Sequence, residues 1–383
     1  MSGAQGQASA RWAEVDLDAI GHNVRQLKAA LDSGVLLAAV VKADGYGHGA
    51  VPVAGAALAA GAEWLAVATV PEALELRAAG ITAPVLNLGA TLEAEADAAV
   101  AADLRCSVWE PAAIDILERA AAAAGRPAKV HFQLDTGMVR LGADPNVAVE
   151  LGLRIQASPD LELEGLFTHM AEAEEPTDRS AKQLSVFLAA VTRLAYEGVS
   201  VPILHAANSA AALSYPDARL GMVRCGLPVY GYSPLAGPSG LELRPALSWK
   251  ARVLQTYDLR TGDRIGYGGT FEASAPARSA TVSVGYADGY PRSLSNRGEL
   301  LVRGRRAPVV GRVSMDFLSV DVSDIDGVEV GDEVVVIGRQ GDEVITAADV
   351  ANTLGTIPYE VLTNIGRRVV RQQVPQGAPL ARG

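Results

Sequence analysis

Apolar and polar positions alternate regularly over the first 240 residues of the chain. Short apolar runs rich in β-branched residues are separated by Ala/Leu-rich stretches, such as 70–80 and 178–198, whose charges recur at helical spacing. The runs lie at residues 35–42, 64–70, 84–89, 104–109, 129–135, 161–169, 202–208 and 220–226. Strands that alternate with helices form parallel sheets, and eight such strands close a barrel. The pattern therefore predicts a (β/α)8 barrel, with an open doubly wound sheet as the alternative.

The pattern changes after residue 240. Gly, Pro and Asp interrupt short β-rich runs at intervals of about eight to twelve residues, which is typical of a compact all-β domain. One helix is expected near 346–355, and the Gly/Pro/Ser-rich segment 232–245 is expected to separate the two parts. We therefore predict an α/β plus β protein, with a TIM-type barrel over 10–240 and a mostly-β domain over 241–383. Residues 1–9 and about the last ten are expected to be disordered.

Composition narrows the functional classes. The 383 residues are 49% hydrophobic, which supplies a sizeable core, and the net charge is −11. An acidic balance argues against binding to nucleic acid or to anionic membranes. No apolar run is long enough to span a bilayer, and the first residues lack the features of a signal peptide. Two cysteines, Cys106 and Cys225, make no disulfide framework, so we expect a cytoplasmic protein.

Polar residues that could take part in catalysis or binding fall at or just after the ends of the predicted barrel strands. They are Lys42, Arg140, His169, Asn208, Ser209 and Arg224. Active sites of β/α barrels lie at this end of the strands, so the shared placement indicates a site. His131 lies inside a predicted strand and is interpreted as an ordinary strand residue.

The residue types indicate a cofactor that carries a phosphate. The hydroxyl of Ser209 and the backbone N–H groups around it and around Gly226 and Leu227 suit a phosphate. A lysine beside a phosphate site suggests a Schiff base with pyridoxal phosphate, and a Schiff-base aldolase without a cofactor is the alternative. There is no Walker loop, HExxH motif or Cys/His cluster, so no metal site is expected.

Six segments carry a resemblance to a known family. They are "VVKADGYGHG", "DTGMVRLG", "HAANSAA", "MVRCGLPVYG", "GYADGYPR" and "GRVSMD". In order and spacing they resemble the bacterial alanine racemases, pyridoxal-phosphate enzymes with an N-terminal β/α barrel and a C-terminal β domain. The similarity runs from "WAEVDLDAI" to "IPYEVLTNIGRRV", which is almost the whole chain. It implies interconversion of L- and D-alanine, a supply of D-alanine for peptidoglycan in the cytoplasm, and a homodimer with shared active sites.

The resemblance also implies a role for each matching residue. Lys42 forms the aldimine with pyridoxal 5′-phosphate and is one catalytic base, and Tyr267 is the other. The residues expected to bind the cofactor are Lys42, Tyr46, His169, Asn208, Ser209, Arg224, Gly226, Leu227 and Tyr359. The residues expected at the substrate carboxylate or the substrate entrance are Arg140, Tyr286, Met315 and Asp316. In the family, the residues matching Tyr267, Tyr286 and Met315 reach the site from the other subunit, and His205 resembles a residue that supports the cofactor ring.

This division of roles agrees with the chemistry. Racemisation removes a proton from one face of the α-carbon and returns a proton to the other face, so it calls for two bases. Arg224 is expected to face the pyridine nitrogen, and a guanidinium does not give up its proton to that nitrogen. We therefore expect an unprotonated ring that withdraws electrons weakly and disfavours side reactions such as transamination.

The chain departs from the family pattern at one position. Many members carry a lysine two residues before the Asp of "DTGM", and its carbamate orients the arginine that follows. Here the position is Gln133, which carries no charge. Arg140 then lacks an anionic partner in a site expected to be half-buried. We expect a bound anion, chloride being the simplest, or an ordered water near Gln133 and Arg140.

Other functions share this scaffold. A racemase of serine, lysine or arginine remains open, because side chains near the entrance set the pocket size. A barrel-type amino-acid decarboxylase would carry a Cys-bearing "GPxCxSxD" element, whereas this chain has "GRVSMDF" with Ser314. A non-catalytic cofactor carrier would consist of a single barrel and would lack the β domain.

Overall fold

The structure is a computed structural model that describes residues 9–174 and 177–374. Within this range the chain forms two compact units. The barrel unit holds residues 19–45 and 49–244, and the β unit holds 9–18, 46–48 and 245–374. The termini predicted to be disordered lie almost wholly outside the described residues. The predicted domain bounds, 10–240 and 241–383, stay a prediction.

The barrel unit is built on an eight-stranded parallel sheet. Its strands are β2 (Leu36–Val40), β3 (Trp64–Val67), β4 (Val85–Asn87), β5 (Arg105–Val108), β6 (Ala128–Gln133), β7 (Leu161–Phe167), β8 (Ile203–His205) and β9 (Met222–Cys225). They pair in the order β8-β7-β6-β5-β4-β3-β2-β9. Two backbone bonds then join the ends of this order, from Gly221 N to Leu204 O (2.9 Å) and from Arg224 N to Ala207 O (3.0 Å). All eight predicted strands and the predicted barrel are confirmed.

Helices alternate with these strands. They are α1 (Leu17–Ala30), α3 (Ala50–Ala59), α4 (Val70–Ala78), α5 (Glu93–Ala101), α6 (Pro111–Ala124), α7 (Ala148–Ala157), α8 (Asp178–Tyr196) and α9 (Ser209–Ser214), with a single left-handed turn, α2 (Lys42–Tyr46), after β2. Local sequence sets their limits. The Thr69 hydroxyl accepts from Glu72 N and the Glu72 carboxylate accepts from Thr69 N, a capping box that begins α4. Gly125 adopts the left-handed conformation that ends α6.

The core of the barrel lies inside and around the sheet. Every residue of β3, β4, β5 and β9 is buried, as expected for parallel strands that helices cover on one face and barrel side chains on the other. The helices turn one apolar face inward, as α8 does with Leu184, Phe187 and Leu194. The polar residues at the strand ends are therefore held by rigid elements.

The β unit is organised around a nine-stranded sheet. Six strands pair in the order β15-β14-β17-β10-β1-β19, β13 pairs with β10 and β16, and β18 pairs with β17. Their bounds are β1 (Arg11–Val15), β10 (Leu247–Leu259), β13 (Ala277–Val282), β14 (Glu299–Val302), β15 (Arg305–Pro308), β16 (Leu318–Asp321), β17 (Glu333–Gln340), β18 (Glu343–Ile345) and β19 (Val370–Gln373). A separate two-stranded sheet joins β11 (Arg264–Ile265) to β12 (Phe271–Glu272). The predicted mostly-β domain is confirmed.

Two features of the β unit differ from the sequence-based expectation. Strand β1, which the sequence analysis placed with the barrel, pairs with β10 in an antiparallel way and with β19 in a parallel way. The predicted helix is present as α10 (Ala347–Leu354), but a second helix, α11 (Pro358–Thr363), follows it. Proline is well placed at the first position of α11 because its missing N–H has no partner within a helix there.

Candidate active site

The carboxyl ends of the barrel strands carry the polar residues that the sequence singled out. Lys42 lies two residues after β2, and His169 lies two residues after β7. Asn208 and Ser209 follow β8, Arg224 lies within β9, and Arg140 follows β6 in a loop. The barrel thus presents all six at one end.

The segment after Lys42 is one turn of left-handed helix. Ala43, Asp44 and Gly45 have φ values of 52°, 54° and 59°, and Tyr46 has φ 50°. A hydrogen bond from Gly45 N to Val41 O (2.9 Å) closes the turn, and Ala43 N donates to Glu72 Oε1 (2.7 Å). Left-handed backbone costs about 1–2 kcal/mol for each residue with a Cβ. Such strain is typical of functional sites, and here it directly follows the candidate lysine.

The Lys42 amine is held in a partly buried, electropositive setting. Burial lowers the pKa of Lys42 below its usual value, and the positive charge of Arg140 lowers it further. The Glu72 carboxylate opposes these effects and does not outweigh them. A larger share of the amine is therefore neutral near physiological pH, which makes it a better nucleophile and base.

His169 is neutral for a related reason. Burial lowers its pKa to about 3, and the charges of Arg224, Arg140 and Lys42 act in the same direction. The imidazole therefore offers one donor and one acceptor at neutral pH rather than two donors.

Arg224 is a buried cation whose hydrogen-bond partners are all neutral. Its Nη1 donates to His205 Nδ1 (2.7 Å), and its Nη2 donates to Thr168 O (2.8 Å) and Ala206 O (3.1 Å). The ring of Phe167 lies 5.2 Å from the guanidinium carbon. Burial lowers the pKa of Arg224 to about 10, so the group still carries its charge at neutral pH.

The loops after β8 and β9 meet through a hydrogen bond to the Ser209 hydroxyl. Gly226 N donates to Ser209 Oγ (2.8 Å), which leaves the Ser209 hydroxyl hydrogen able to donate outward. Asn208 caps α9 by accepting from Ala211 N (3.0 Å), and its amide donates to Met170 O (3.2 Å). Through these two bonds the Asn208 side chain stabilises the loop that holds Ser209.

Gln133 and Arg140 differ in exposure. Gln133 is buried, its Nε2 donates to Leu141 O (3.0 Å), and its Oε1 accepts no hydrogen bond from the described residues. Arg140 is exposed, which corrects the expectation of a half-buried position, and within residues 9–174 and 177–374 it forms no hydrogen bond or ion pair. An unpaired charge is less costly where water solvates it, so the need for an anion beside Arg140 is smaller than expected.

The other predicted site residues belong to the β unit. The rings of Tyr46 and Tyr359 lie 5.7 Å apart, and Gly47 approaches α11 so closely that a Cβ there would lie 2.5 Å from Leu362 O. Tyr267 is 72% exposed on a short turn beside a cavity of about 270 Å³, which Arg312 and Phe317 also line.

Tyr286, Met315 and Asp316 lie together. Tyr286 N donates to Ser314 O (3.0 Å) and Ala287 N donates to Met315 O (3.0 Å), so the two loops run side by side. Tyr286 and Met315 are 42% and 51% exposed. The Asp316 carboxylate accepts from Arg368 Nη2 (2.7 Å) and is therefore already paired.

The structure also reveals polar residues to which sequence reasoning gave no role. His131 is fully buried and contacts both His205 and Glu164. It lies two residues before Gln133 on β6, so both side chains point to the same face of the strand. That spacing of two polar residues inside a buried strand was the signal in the sequence.

Known proteins similar to this chain carry one consistent description. The model of the alanine racemase N-terminal domain matches residues 15–234, and that of the C-terminal domain matches residues 246–373. An alanine racemase of Symbiobacterium thermophilum is 48% identical over 94% of this chain and 96% of its own length. One of Cutibacterium acnes is 42% identical over 94% of this chain and 97% of its own.

Solved structures agree. Alanine racemase from Bacillus anthracis with bound L-Ala-P has a TM-score of 0.91 at 40% identity, covering 97% of both chains. The chain belongs to the alanine racemase family. The enzyme from Streptomyces lavendulae, another structure of this family, has a TM-score of 0.91 at 39% identity over 96% of this chain and 98% of its own. Members of the family are isomerases, and no helix among the described residues is long and apolar enough to cross a membrane.

Proposed function

We propose that this chain is an alanine racemase that interconverts L- and D-alanine with pyridoxal 5′-phosphate as cofactor. The observation that carries the proposal is the Lys42 amine, which lies at the carboxyl end of the first barrel strand with a lowered pKa. A primary amine with a lowered pKa, of which a larger share is neutral, suits an aldehyde cofactor in that place. The names of the relatives support alanine as the substrate.

The donors at the barrel mouth fit the cofactor. The Ser209 hydroxyl and the N–H group of Leu227 suit its phosphate, whereas the Gly226 N–H supports them indirectly by donating to Ser209 Oγ. Arg224 presents a fixed cation to the ring, and Asn208 and His169 lie at adjacent strand ends. The assignment of Tyr46 and Tyr359 to the phosphate stays a prediction.

The chain supplies the two proton-transfer groups. When bound, pyridoxal phosphate withdraws electrons from the α-carbon of the amino acid, which makes the α-proton removable. Lys42 holds or releases a proton at Nζ on one face of that carbon. Tyr267 does the same at Oη on the other face, and a proton taken by one group and returned by the other inverts the configuration. Arg224 stays charged throughout and keeps its proton.

Tyr267 is proposed to act on the site of a second chain. Its side chain is 72% exposed, and Tyr286, Met315 and Phe317 of the same unit are 42%, 51% and 43% exposed. Large exposed apolar side chains of this kind mark protein interfaces. We therefore propose a homodimer in which each β unit completes the site of its partner, with Arg140, Tyr286, Met315 and Asp316 around the substrate.

An anion is proposed beside Arg140. The Arg140 guanidinium has no carboxylate partner in the described part of the chain, and the Gln133 amide retains a second N–H beyond its bond to Leu141. Both groups can donate to chloride. The proposed product is D-alanine for peptidoglycan, made in the cytoplasm.

The proposal is tested with purified chain loaded with pyridoxal phosphate and given L-alanine. The enantiomers have equal free energies, so optical rotation should decay to zero from either one, and a Lys42→Ala variant should leave it unchanged. Constant rotation with wild-type protein would overturn the proposal. Carbon dioxide release without racemisation would favour a decarboxylase, and L-serine, L-lysine and L-arginine in the same assay define the substrate range.

A further inference from the structure

A chain of hydrogen-bonded side chains runs from Arg224 into the interior of the barrel unit. Arg224 Nη1 lies 2.7 Å from His205 Nδ1, and His205 Nε2 lies 2.9 Å from His131 Nδ1. His131 Nε2 lies 3.2 Å from Glu164 Oε2. Arg224 and both histidines are buried. The four residues come from β9, β8, β6 and β7, so the contacts join four strands of the barrel.

The two ends of this hydrogen-bonded chain, an arginine that only donates and a carboxylate that only accepts, together require one direction for every bond. A guanidinium only donates, so His205 Nδ1 must accept and carries no proton. A neutral His205 then holds its proton on Nε2 and donates to His131 Nδ1, and His131 in turn donates from Nε2 to Glu164. Burial, as the main cause, lowers the pKa of both imidazoles, so both are neutral. Only one arrangement of protons satisfies all three contacts.

Glu164 is the anionic end of this chain. Burial raises the pKa of the Glu164 carboxyl, but the hydrogen bond from His131 and the charge and hydrogen bond of Arg105 outweigh it and lower the pKa. Arg105 Nε donates to Glu164 Oε2 (3.0 Å) and Arg105 Nη1 donates to Asp103 Oδ2 (2.8 Å). Glu164 is therefore held by donors from both Arg105 and His131, while Asp103 is shared among Arg105, Arg126 and Lys129.

Aromatic rings pack against the hydrogen-bonded side chains. The Phe167 ring stacks on His205 at 4.7 Å and also faces Arg224. The Trp64 ring lies 5.4 Å from the His131 ring and 5.4 Å from the Arg105 guanidinium carbon. The imidazoles therefore have little freedom to rotate and to change their partners.

We propose that Glu164 is a positioning residue that orients the Arg224 guanidinium through two neutral histidines of fixed tautomer. Its carboxylate accepts the last proton of the chain and so selects the Nε2–H form of His131 and of His205. His205 Nδ1 then remains an acceptor for Arg224. The inference rests on the proposed function only in that Arg224 is taken to face the cofactor ring.

The test reads the tautomers directly. The chain has five histidines, so ¹⁵N-histidine NMR of the full-length protein without cofactor yields few resonances, which single substitutions assign. We expect His131 and His205 to show a protonated Nε2 and an unprotonated Nδ1 at neutral pH. A proton on Nδ1 of either ring, or a doubly protonated ring, would overturn the proposal.

Variants at Glu164 separate positioning from folding. Glu164→Leu removes the acceptor and should shift the resonances of both histidines and lower kcat by about tenfold, with KM for alanine little changed. Glu164→Gln keeps an oxygen for His131, so the tautomers should persist while the His131 Nε2 resonance shifts and kcat falls less. Glu162→Leu, at an exposed position of the same strand, is the matched control and should change neither readout.

The outcomes are distinguishable from a failure of the proposed function. Unchanged histidine resonances in Glu164→Gln overturn the proposal even where Glu164→Leu does not fold. Unchanged kcat in a folded Glu164→Leu protein also overturns it. The NMR measurement needs neither cofactor nor substrate. If the protein shows the fixed tautomers but does not racemise alanine, the positioning role of Glu164 is supported and the proposed function is contradicted.

Discussion

Individual side chains at the barrel mouth have pKa values that burial and neighbouring positive charge lower. The pKa of Lys42 is lowered by burial and by Arg140, and the pKa of His169 is lowered to about 3 by burial and by nearby cations. The repulsion between clustered cations is unfavourable for folding. It is tolerated at a site where a larger neutral share of the Lys42 amine is useful. Anionic groups such as a phosphate or a carboxylate would reduce the repulsion when they bind.

The lowered pKa of Lys42 predicts selective chemical reactivity. Only the neutral amine reacts with acylating reagents, so Lys42 should reach half-maximal labelling at a lower pH than the exposed Lys182. The measurement is peptide mapping by mass spectrometry of cofactor-free protein labelled briefly across a pH series. A Lys42 midpoint equal to or above that of Lys182 would contradict the burial argument.

Loss of the Tyr267 hydroxyl should slow exchange of the α-hydrogen more for one enantiomer of alanine than for the other. In Tyr267→Phe, the base on one face is lost, and racemisation should fall by about 10²–10⁴-fold. Exchange of the α-hydrogen in deuterated water should persist for one enantiomer of alanine, because Lys42 still serves the other face. Tyr257→Phe, at another exposed position of the β unit, is the control. Equal exchange of both enantiomers in Tyr267→Phe would exclude the assigned role.

Among the elements, the left-handed turn α2 conflicts most with the conformational preference of its residues, because residues with a Cβ favour negative φ. Glycines surround it, yet Ala43, Asp44 and Tyr46 also adopt positive φ. The turn is braced from outside, since Glu72 accepts from Ala43 N and Asp44 Oδ1 accepts from Ala50 N (2.9 Å). These contacts direct the chain away from β2 immediately after Lys42.

Relief of this strain should be measurable. Ala43→Gly removes about 1–2 kcal/mol of left-handed strain and adds about 0.5–1 kcal/mol of unfolded-state entropy, so the free energy of unfolding should rise by up to about 1.5 kcal/mol. Ala56→Gly, within the right-handed α3, should instead lower it by about 1 kcal/mol. Denaturant titrations compare the two. If Ala43→Gly lowered the free energy of unfolding as much as Ala56→Gly does, the turn would not be strained.

Elements were predictable from the sequence where a local pattern determines them. The eight barrel strands are β-branched runs between helical stretches, and the structure confirms each of them. The pairing of strand β1 was not predicted, because its partners, Leu247–Ala251 of β10 and Val370–Gln373 of β19, lie more than 230 residues away. The link between His131 and Glu164 was missed for the same reason, since 33 residues separate them.

The whole molecule carries residues of the proposed site in both units. Lys42, Arg224 and Ser209 belong to the barrel unit, whereas Tyr267, Tyr286 and Met315 are exposed side chains of the β unit. Both groups are predictions from motif spacing, and spacing carries no information about which chain completes a given site. The proposed arrangement, in which two chains share each site, would account for the large apolar side chains exposed on the β unit.

The claim that two chains together build one racemase site is tested most directly by mixing two inactive variants. Lys42→Ala and Tyr267→Phe are each purified, combined under conditions that exchange subunits, loaded with cofactor and assayed for D-alanine formed from L-alanine. Half of the dimers should then be mixed, each with one intact site, so the mixture should regain roughly a quarter of wild-type activity. Activity that stays at the level of the separate variants, although mass spectrometry detects mixed dimers, would contradict the claim.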